Sequence, residues 1–243
     1  MKKIVIFGVG KIADVAFHHI TRDSQFEVVA FAVNRDWLPA SSPGQCLHKD
    51  RPLVAFEEVE QLFPANAFSM FVAIGYHELN AVRAQKYLEA KNKGYELVSY
   101  VSPRADTGPW QVMGDNCLIL DGVGIQPGAT IGNNVSVWNN SLVGHHSSIA
   151  DHCWLAAGTT VGGASSIGAR CFLGLNATVG GEVNIGSDSF LGGGSLVVKS
   201  AAEKSVFVER GTEKFRLDST QFLKMTAMPA MGKSRQSTLG TGS

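Results

Sequence analysis

From Met113 to Val197 an aliphatic residue falls at every sixth position: Met113, Ile119, Ile125, Ile131, Val137, Val143, Ile149, Leu155, Val161, Ile167, Leu173, Val179, Ile185, Leu191 and Val197. Four residues after each comes a small or short side chain, from Cys117, Val123 and Ala129 through to Ser189 and Ser195. A helix repeats every 3.6 residues and a coiled coil every 3.5, so a strict period of six is neither. Six-residue self-similarity predicts a parallel β-helix in which each hexad supplies one short strand and one corner. A second-order period of eighteen, seen in Met113-Gly114, Ile131-Gly132, Ile167-Gly168 and Ile185-Gly186, predicts a three-sided prism of nearly five coils. The hexads begin near Val101 or Met113 and stop at Lys199. Each buried aliphatic contributes about 1.5–3 kcal/mol of gross burial energy, so this column makes a sizeable core from few residues.

Upstream the pattern changes. Between Met1 and about Tyr100, Lys3–Phe7 reads as a continuous apolar strand and Lys11–Thr21 as a helix carrying Ile12, Val15, Ala16 and Ile20. Glu27–Val33 and Phe68–Ile74 predict further strands, and Glu96–Val101 a short fourth. Leu79, Val82, Tyr87 and Leu88 give Glu78–Lys93 a helical spacing that Gly94 stops. Strands alternating with helices predict a small parallel sheet. Asn34–Pro52, rich in Pro, Ser and Gly, predicts a surface loop. The expected organisation is an α/β domain over 1–100, the all-β prism over 101–200 and a C-terminal cap and tail over 201–243. A solenoid must cover both ends, so the α/β domain is expected over the first coil and Val206–Met228 over the last. Gly232–Ser243, rich in Ser and Gly, is expected to be disordered.

Composition narrows the function classes. The 243 residues include 21 basic and 21 acidic side chains, so bulk charge gives no basis for nucleic-acid or acidic-membrane binding. No segment approaches the roughly 20 apolar residues of a membrane span. The opening MKKIVIFGVGKIADV places two lysines before an apolar run, but Gly8, Gly10 and Lys11 interrupt it and no small-residue cleavage site follows. It is read as the buried first strand of a cytoplasmic protein. The four cysteines lack metal spacing. Cys117, Cys153 and Cys171 fall at the small interior position and are expected to be reduced core thiols, with Cys153 and Cys171 stacked at about 4.8 Å.

Two motifs carry chemistry. Gly8-Val9-Gly10-Lys11-Ile12-Ala13 fits GxGxxA between a strand and a helix, the dinucleotide fingerprint. Alone it would suggest a nicotinamide enzyme, but the stretch before the hexads is too short for the usual two mononucleotide halves. His145, in LVGHHSS, occupies the third place of the hexad that starts at Val143, a corner pointing away from the prism interior. An imidazole titrating near about 6.5 can accept a proton at neutral pH and release it afterwards. The remaining histidines, His18, His19, His48, His77 and His152, show no mutual metal-ligand spacing, so no metal is expected.

Three segments together resemble a known bacterial family. Phe71–Leu79 (FVAIGYHEL), the hexads with Cys171–Asn176 (CFLGLN), and Ser189–Val198 (SFLGGGSLVV) are similar to the sialic acid O-acetyltransferase NeuD family. That family includes acetyl-CoA-dependent N-acetyltransferases of nucleotide-linked 4-amino sugars, and the similarity spans about residues 2–208. It implies a small Rossmann-like N-terminal parallel-sheet domain followed by a left-handed parallel β-helix of hexapeptide repeats. It also implies a homotrimer with active sites between neighbouring subunits. A left hand departs from the usual right-handed crossover, and periodicity does not reveal it.

The same resemblance implies roles for individual residues. His145 matches the general base. His146 stands where the amino-sugar enzymes usually carry an acidic residue that orients that base; Asn139, Asn140 or a neighbouring subunit could take this part. Trp154, Leu175 and Gly193 match positions that contact the cofactor, acetyl-CoA. The run Gly192-Gly193-Gly194 lets a thioester approach the backbone, where an N–H could polarise its carbonyl. Gly10 and Lys11, Asn34 and Arg35, and Gly75 match the sugar-nucleotide pocket, with a phosphate at the helix N-terminus beside Lys11. His77, beside Gly75, is expected to line that pocket. The two acids common at the second-strand end are replaced here by Asn34 and Arg35.

These readings converge on a cytoplasmic acyltransferase that N-acetylates a nucleotide-linked amino sugar, at C4, in bacterial surface-glycan (lipopolysaccharide and O-antigen) biosynthesis. Acetyl-CoA is its co-substrate and no metal takes part. Sugar O-acetylation is the nearest alternative, kept open by His146. A non-enzymatic trimeric nucleotide-binding scaffold and a nicotinamide-linked oxidoreductase are further ones, the last resting only on GxGxxA.

Overall fold

The computed structural model describes residues 1–23, 25–39, 46–108 and 112–226. Its N-terminal part contains β1 (Lys2–Phe7), α1 (Lys11–Arg22), β2 (Phe26–Val33), β3 (Leu47–His48), β4 (Arg51–Ala55), α2 (Val59–Leu62), β5 (Ser69–Val72) and α3 (Ala81–Asn92). The sheet runs β3-β4-β2-β1-β5 and is parallel except for the β3–β4 hairpin. On one side of it Ile4, Ile6 and Phe31 pack with Ala13, Ala16 and Ile20 of α1. On the other, Val5, Phe7 and Ala30 pack with Tyr87 and Ala90 of α3. Burial on both faces explains the unbroken apolar run of β1.

Three expectations for this region change. The stretch read as the loop Asn34–Pro52 contains β3 and the first residues of β4. Pro52 is tolerated because β4 is bordered on one side only by the two-residue β3. Glu96–Val101 does not form a fourth strand of the sheet: Leu97 makes one isolated bridge to Met70, and Tyr100–Val101 (β6) pairs with the prism. Helix α3 begins three residues later than the spacing predicts, because Glu78, Leu79 and Asn80 all take left-handed φ.

The prism is a left-handed parallel β-helix. Its two-residue strands run from β6 and β7 (Val112–Met113) through β21 (Leu196–Val197) to β22 (Val206–Phe207), in one seven-stranded and two five-stranded sheets. Partners lie eighteen residues apart, as in Val137↔Leu155 and Leu155↔Leu173. Every aliphatic of the repeat from Ile119 to Val197 is buried in a single core with Cys117, Cys153 and Cys171. Cys117, Cys153 and Cys171 are free thiols, and burial pushes the Cys117 thiol up to about 12. At most corners one residue takes left-handed φ, for example His146 (56°), His152 (64°), Gly158 (74°) and Ala164 (55°).

The N-terminal domain does not sit over the first coil; it docks along the seven-stranded face. Leu118, Leu120 and Trp138 pack with the α1 side of the sheet, and Trp154 and Phe172 pack with Ile12 and Leu79. Arg83 of α3, 1% exposed, donates to the backbone carbonyls of Asn134, His152 and Cys153. Burial lowers its pKa to about 10.

At the other end the chain divides into two compact units, Met1–Glu209 and Arg210–Ser243. The stretch Val206–Met228 expected as a cap is thus split. Val206–Phe207 adds a strand beside Phe190–Leu191, while the helix α4 (Ser219–Thr226) belongs to the second unit. Gly232–Ser243 lies outside the described residues. No helix among the described residues is long and apolar enough to cross a membrane.

Candidate functional site

His145 and His146 form the corner between strands Leu142–Val143 and Ser148–Ile149, which belong to the two faces that the N-terminal domain leaves uncovered. Both are exposed. The His145 backbone N–H donates to Gln126 Oε1 at 2.9 Å, and the Nδ1 atoms of the two imidazoles face each other at 3.2 Å. One nitrogen of such a pair must carry the hydrogen and the other accept it. When His145 is the donor, its Nε2 keeps a lone pair for a substrate proton.

Glycines on adjacent coils make room for both rings. A Cβ on Gly163 would lie 2.5 Å from His145 Nε2, and one on Gly128 would lie 2.8 Å from His146 Cδ2. The sequence signal was available in retrospect: Gly163 follows His145, and Gly128 precedes His146, by one coil. Gln126, Gly128 and Gly163 were not singled out by the sequence reading.

Of the residues expected to hold the cofactor, Leu175 and Gly193 are brought together and Trp154 is not. Leu175 (60% exposed) and Gly193 stack on one corner, where the Gly194 N–H donates to the Leu175 carbonyl at 2.8 Å. Trp154 is 3% exposed on the docked face, with ring centroids 5.3 Å from Trp138 and 5.4 Å from Tyr76. The Arg83 guanidinium lies 5.6 Å from its centroid. The docked domain covers it, so Trp154 packs within the chain and does not border an open groove.

The nucleotide-pocket residues separate into two cavities at the carboxyl ends of the parallel strands, where open α/β sheets place ligands. The larger, about 560 Å³, is lined by Gly8, Gly10, Lys11, Gly75, Tyr76 and His77 among others. It unites Gly10, Lys11, Gly75 and His77 as expected. Gly8 has φ +119° and a Cβ there would strike the Ala73 carbonyl oxygen at 2.7 Å, whereas Gly10 opens onto free space. No side chain caps α1, so its first-turn N–H groups suit an anion.

The smaller cavity, about 270 Å³, is lined by Phe7, Val9, Val33, Asn34, Trp37, Ile74, Val82 and Lys86. Arg35 does not line it. Its guanidinium pairs with Glu58 and its backbone N–H donates to Glu57 Oε2 at 3.0 Å.

With this geometry in view, sequence and fold comparisons can be placed. Residues 112–145 match the bacterial transferase hexapeptide (six repeats) family. No curated protein matches the chain by sequence. Among solved structures, the hexapeptide prism and its N-terminal domain are similar to PerB from Caulobacter crescentus in complex with CoA and GDP-perosamine. The identity is 26% over 85% of this chain and 93% of that one, with a TM-score of 0.72. The acetyltransferase domain of PglB from Neisseria gonorrhoeae FA1090 has the same fold at 19% identity, covering 85% and 96% of the two chains with a TM-score of 0.73. So does WeeI from Acinetobacter baumannii AYE, at 17% identity, 85% and 96% coverage and a TM-score of 0.71. Among the described residues no group of three or more His, Cys, Asp or Glu side chains could hold a metal ion.

Proposed function

We propose that the chain is an acetyl-CoA-dependent acetyltransferase that N-acetylates an amino sugar carried on a nucleotide, at C4, for bacterial surface glycans, and works as a cytoplasmic homotrimer. The observation that carries this reading is the division of the machinery within one chain. His145 stands on the corner opposite the docked face, while the cavity at Gly10 and Lys11 belongs to the domain docked on that face. The two stand on different sides of the prism within a single chain, and in this reading the cavity of a neighbouring subunit delivers the sugar to His145. The hexapeptide match and the fold shared with PerB, whose structure holds CoA and GDP-perosamine, support the chemistry.

In the reaction the sugar amine attacks the thioester carbonyl carbon and its N–H proton passes to His145 Nε2. The tetrahedral intermediate then collapses, the C–S bond breaks, and the departing CoA sulfur takes a proton from the imidazolium. An imidazole backed by a second imidazole, with no carboxylate behind it, suits an amine better than a hydroxyl, because the amine attacks with its own lone pair. Lys11 and the first turn of α1 hold the diphosphate. Leu175 and Gly193 border the acyl-CoA on an outer corner.

The test is CoA release from acetyl-CoA in the presence of UDP-, dTDP- and GDP-linked 4-amino sugars. His145→Ala is expected to lose about 10²–10⁴-fold in turnover while keeping its CoA affinity. Near-normal turnover in that variant would overturn the assignment.

A further inference from the structure

The 270 Å³ cavity points to the nucleobase that the substrate carries. Its walls are apolar or aromatic except for Asn34 and Lys86, and Trp37, 77% exposed, stands among them with a free ring surface. Asn34 Oδ1 is buried with no hydrogen-bond partner among the described residues. The acceptor is closed off in this rotamer, and a turn of the Asn34 amide about Cβ–Cγ presents it to a ligand N–H entering the cavity, which then meets its unfilled hydrogen-bonding capacity. Lys86 already pairs with Glu89, but an ammonium has three donors and can serve a further acceptor. The cavity thus offers one amide, able to accept and donate side by side, and one pure donor.

Bases differ in what they ask of such a wall. The imide edge of uracil or thymine presents carbonyl, N–H, carbonyl. Asn34 Oδ1 can accept from the N–H while its amide N–H₂ and Lys86 serve the two carbonyls. Guanine presents two adjacent donors, N1–H and N2–H₂, and needs two acceptors where the lining side chains supply one. We infer that this chain selects a uridine or thymidine diphosphate sugar through Asn34, with Trp37 stacking on the base, in contrast to the GDP-sugar held by PerB. The inference rests on the nucleotide-sugar reading above and specifies the base for it.

Calorimetric titration of the full chain with UDP, dTDP, GDP, ADP and CDP tests it. UDP or dTDP is expected to bind at least about tenfold more tightly than GDP, whose second donor finds no acceptor among the lining side chains. The UDP and dTDP arms separate uracil from thymine. Asn34→Asp, which replaces the donor half of the amide with a second acceptor, should weaken UDP and dTDP and bring GDP level with or above them. Trp37→Ala, at an exposed position where folding is not at stake, should weaken every nucleotide several-fold without changing their order. A wild-type preference for GDP, or an order unchanged in Asn34→Asp, overturns the base assignment and leaves the nucleotide-sugar reading intact. Absence of binding by all five overturns both.

Discussion

Gly163 decides where His145 can sit. Its φ lies outside the left-handed region, so alanine is acceptable to the backbone there and only the 2.5 Å approach to His145 Nε2 forbids it. Gly163→Ala should therefore leave the fold intact and push the imidazole aside. A misplacement of about 1 Å is enough to cost about 10²-fold in turnover. Steady-state kinetics beside a thermal melt would check this: lost turnover with a preserved melting temperature is expected. At this scale the sequence was partly legible. A histidine on a hexad corner is visible in one line of text, because the six-residue period fixes which side chains face out. The ring's neighbours are not, because they come from other coils and appear only when the chain is folded back at eighteen residues.

Arg83 of α3 binds the prism at the carbonyls of Asn134 and His152, and the side chains of those two residues form a contact that protonation would break. Asn134 Oδ1 accepts from Asn116, which turns its Nδ2 toward His152 Nδ1 at 2.9 Å. That contact requires His152 Nδ1 to be unprotonated, and burial lowers its pKa below 6.5, as it does for His19 beside Asp121. Both histidines are neutral in either state above the unfolded value, so stability is flat there. As pH falls below about 6.5 the unfolded chain binds protons first and stability declines toward the lowered folded pKa values. Melting temperatures measured between about pH 7.5 and 5.5 should drop with acidity, and His152→Gln should flatten part of the slope. The elements themselves were read well where one periodicity ruled, as in α1 and the prism. They were read poorly where partners outside the repeat decided: Tyr100–Val101 left the small sheet for the prism, and Trp154 lost its solvent face to the docked domain.

For the whole molecule, the separation of His145 from the Gly10–Lys11 cavity makes a prediction about assembly. Neither His145→Ala nor Lys11→Glu should turn over alone. Unfolded together and refolded as mixed assemblies, they should recover about a quarter of wild-type activity if neighbouring subunits share the site as proposed, since random pairing unites one intact His145 with one intact cavity at that frequency. Mixtures as inactive as the parents would show that each chain completes its own site. Domain docking of this kind is invisible to a hydrophobic pattern, which reports that Leu118, Trp154 and Phe172 are apolar but not what covers them.

The pairing of residues eighteen apart also turns the prism into a ruler. Each coil advances the chain by about 4.8 Å, so a group on a given corner can occupy only discrete heights. The corner one coil beyond His145 repeats the glycine that makes room for the ring, with Gly181 standing to Gly163 as Gly163 stands to His145, while Gln126 has Gly144 as its counterpart. Transplanting the pair there by Gly163→His and Ala164→His, with His145→Gly and His146→Gly to keep room for both rings, should give a folded chain that lacks the contact made by Gln126 and whose base is out of reach by one graduation. Loss of acetyl transfer in that chain, and not in Gln126→Gly alone, would mean that the repeat sets the reaction distance in whole coils, with no smaller step available for adjustment.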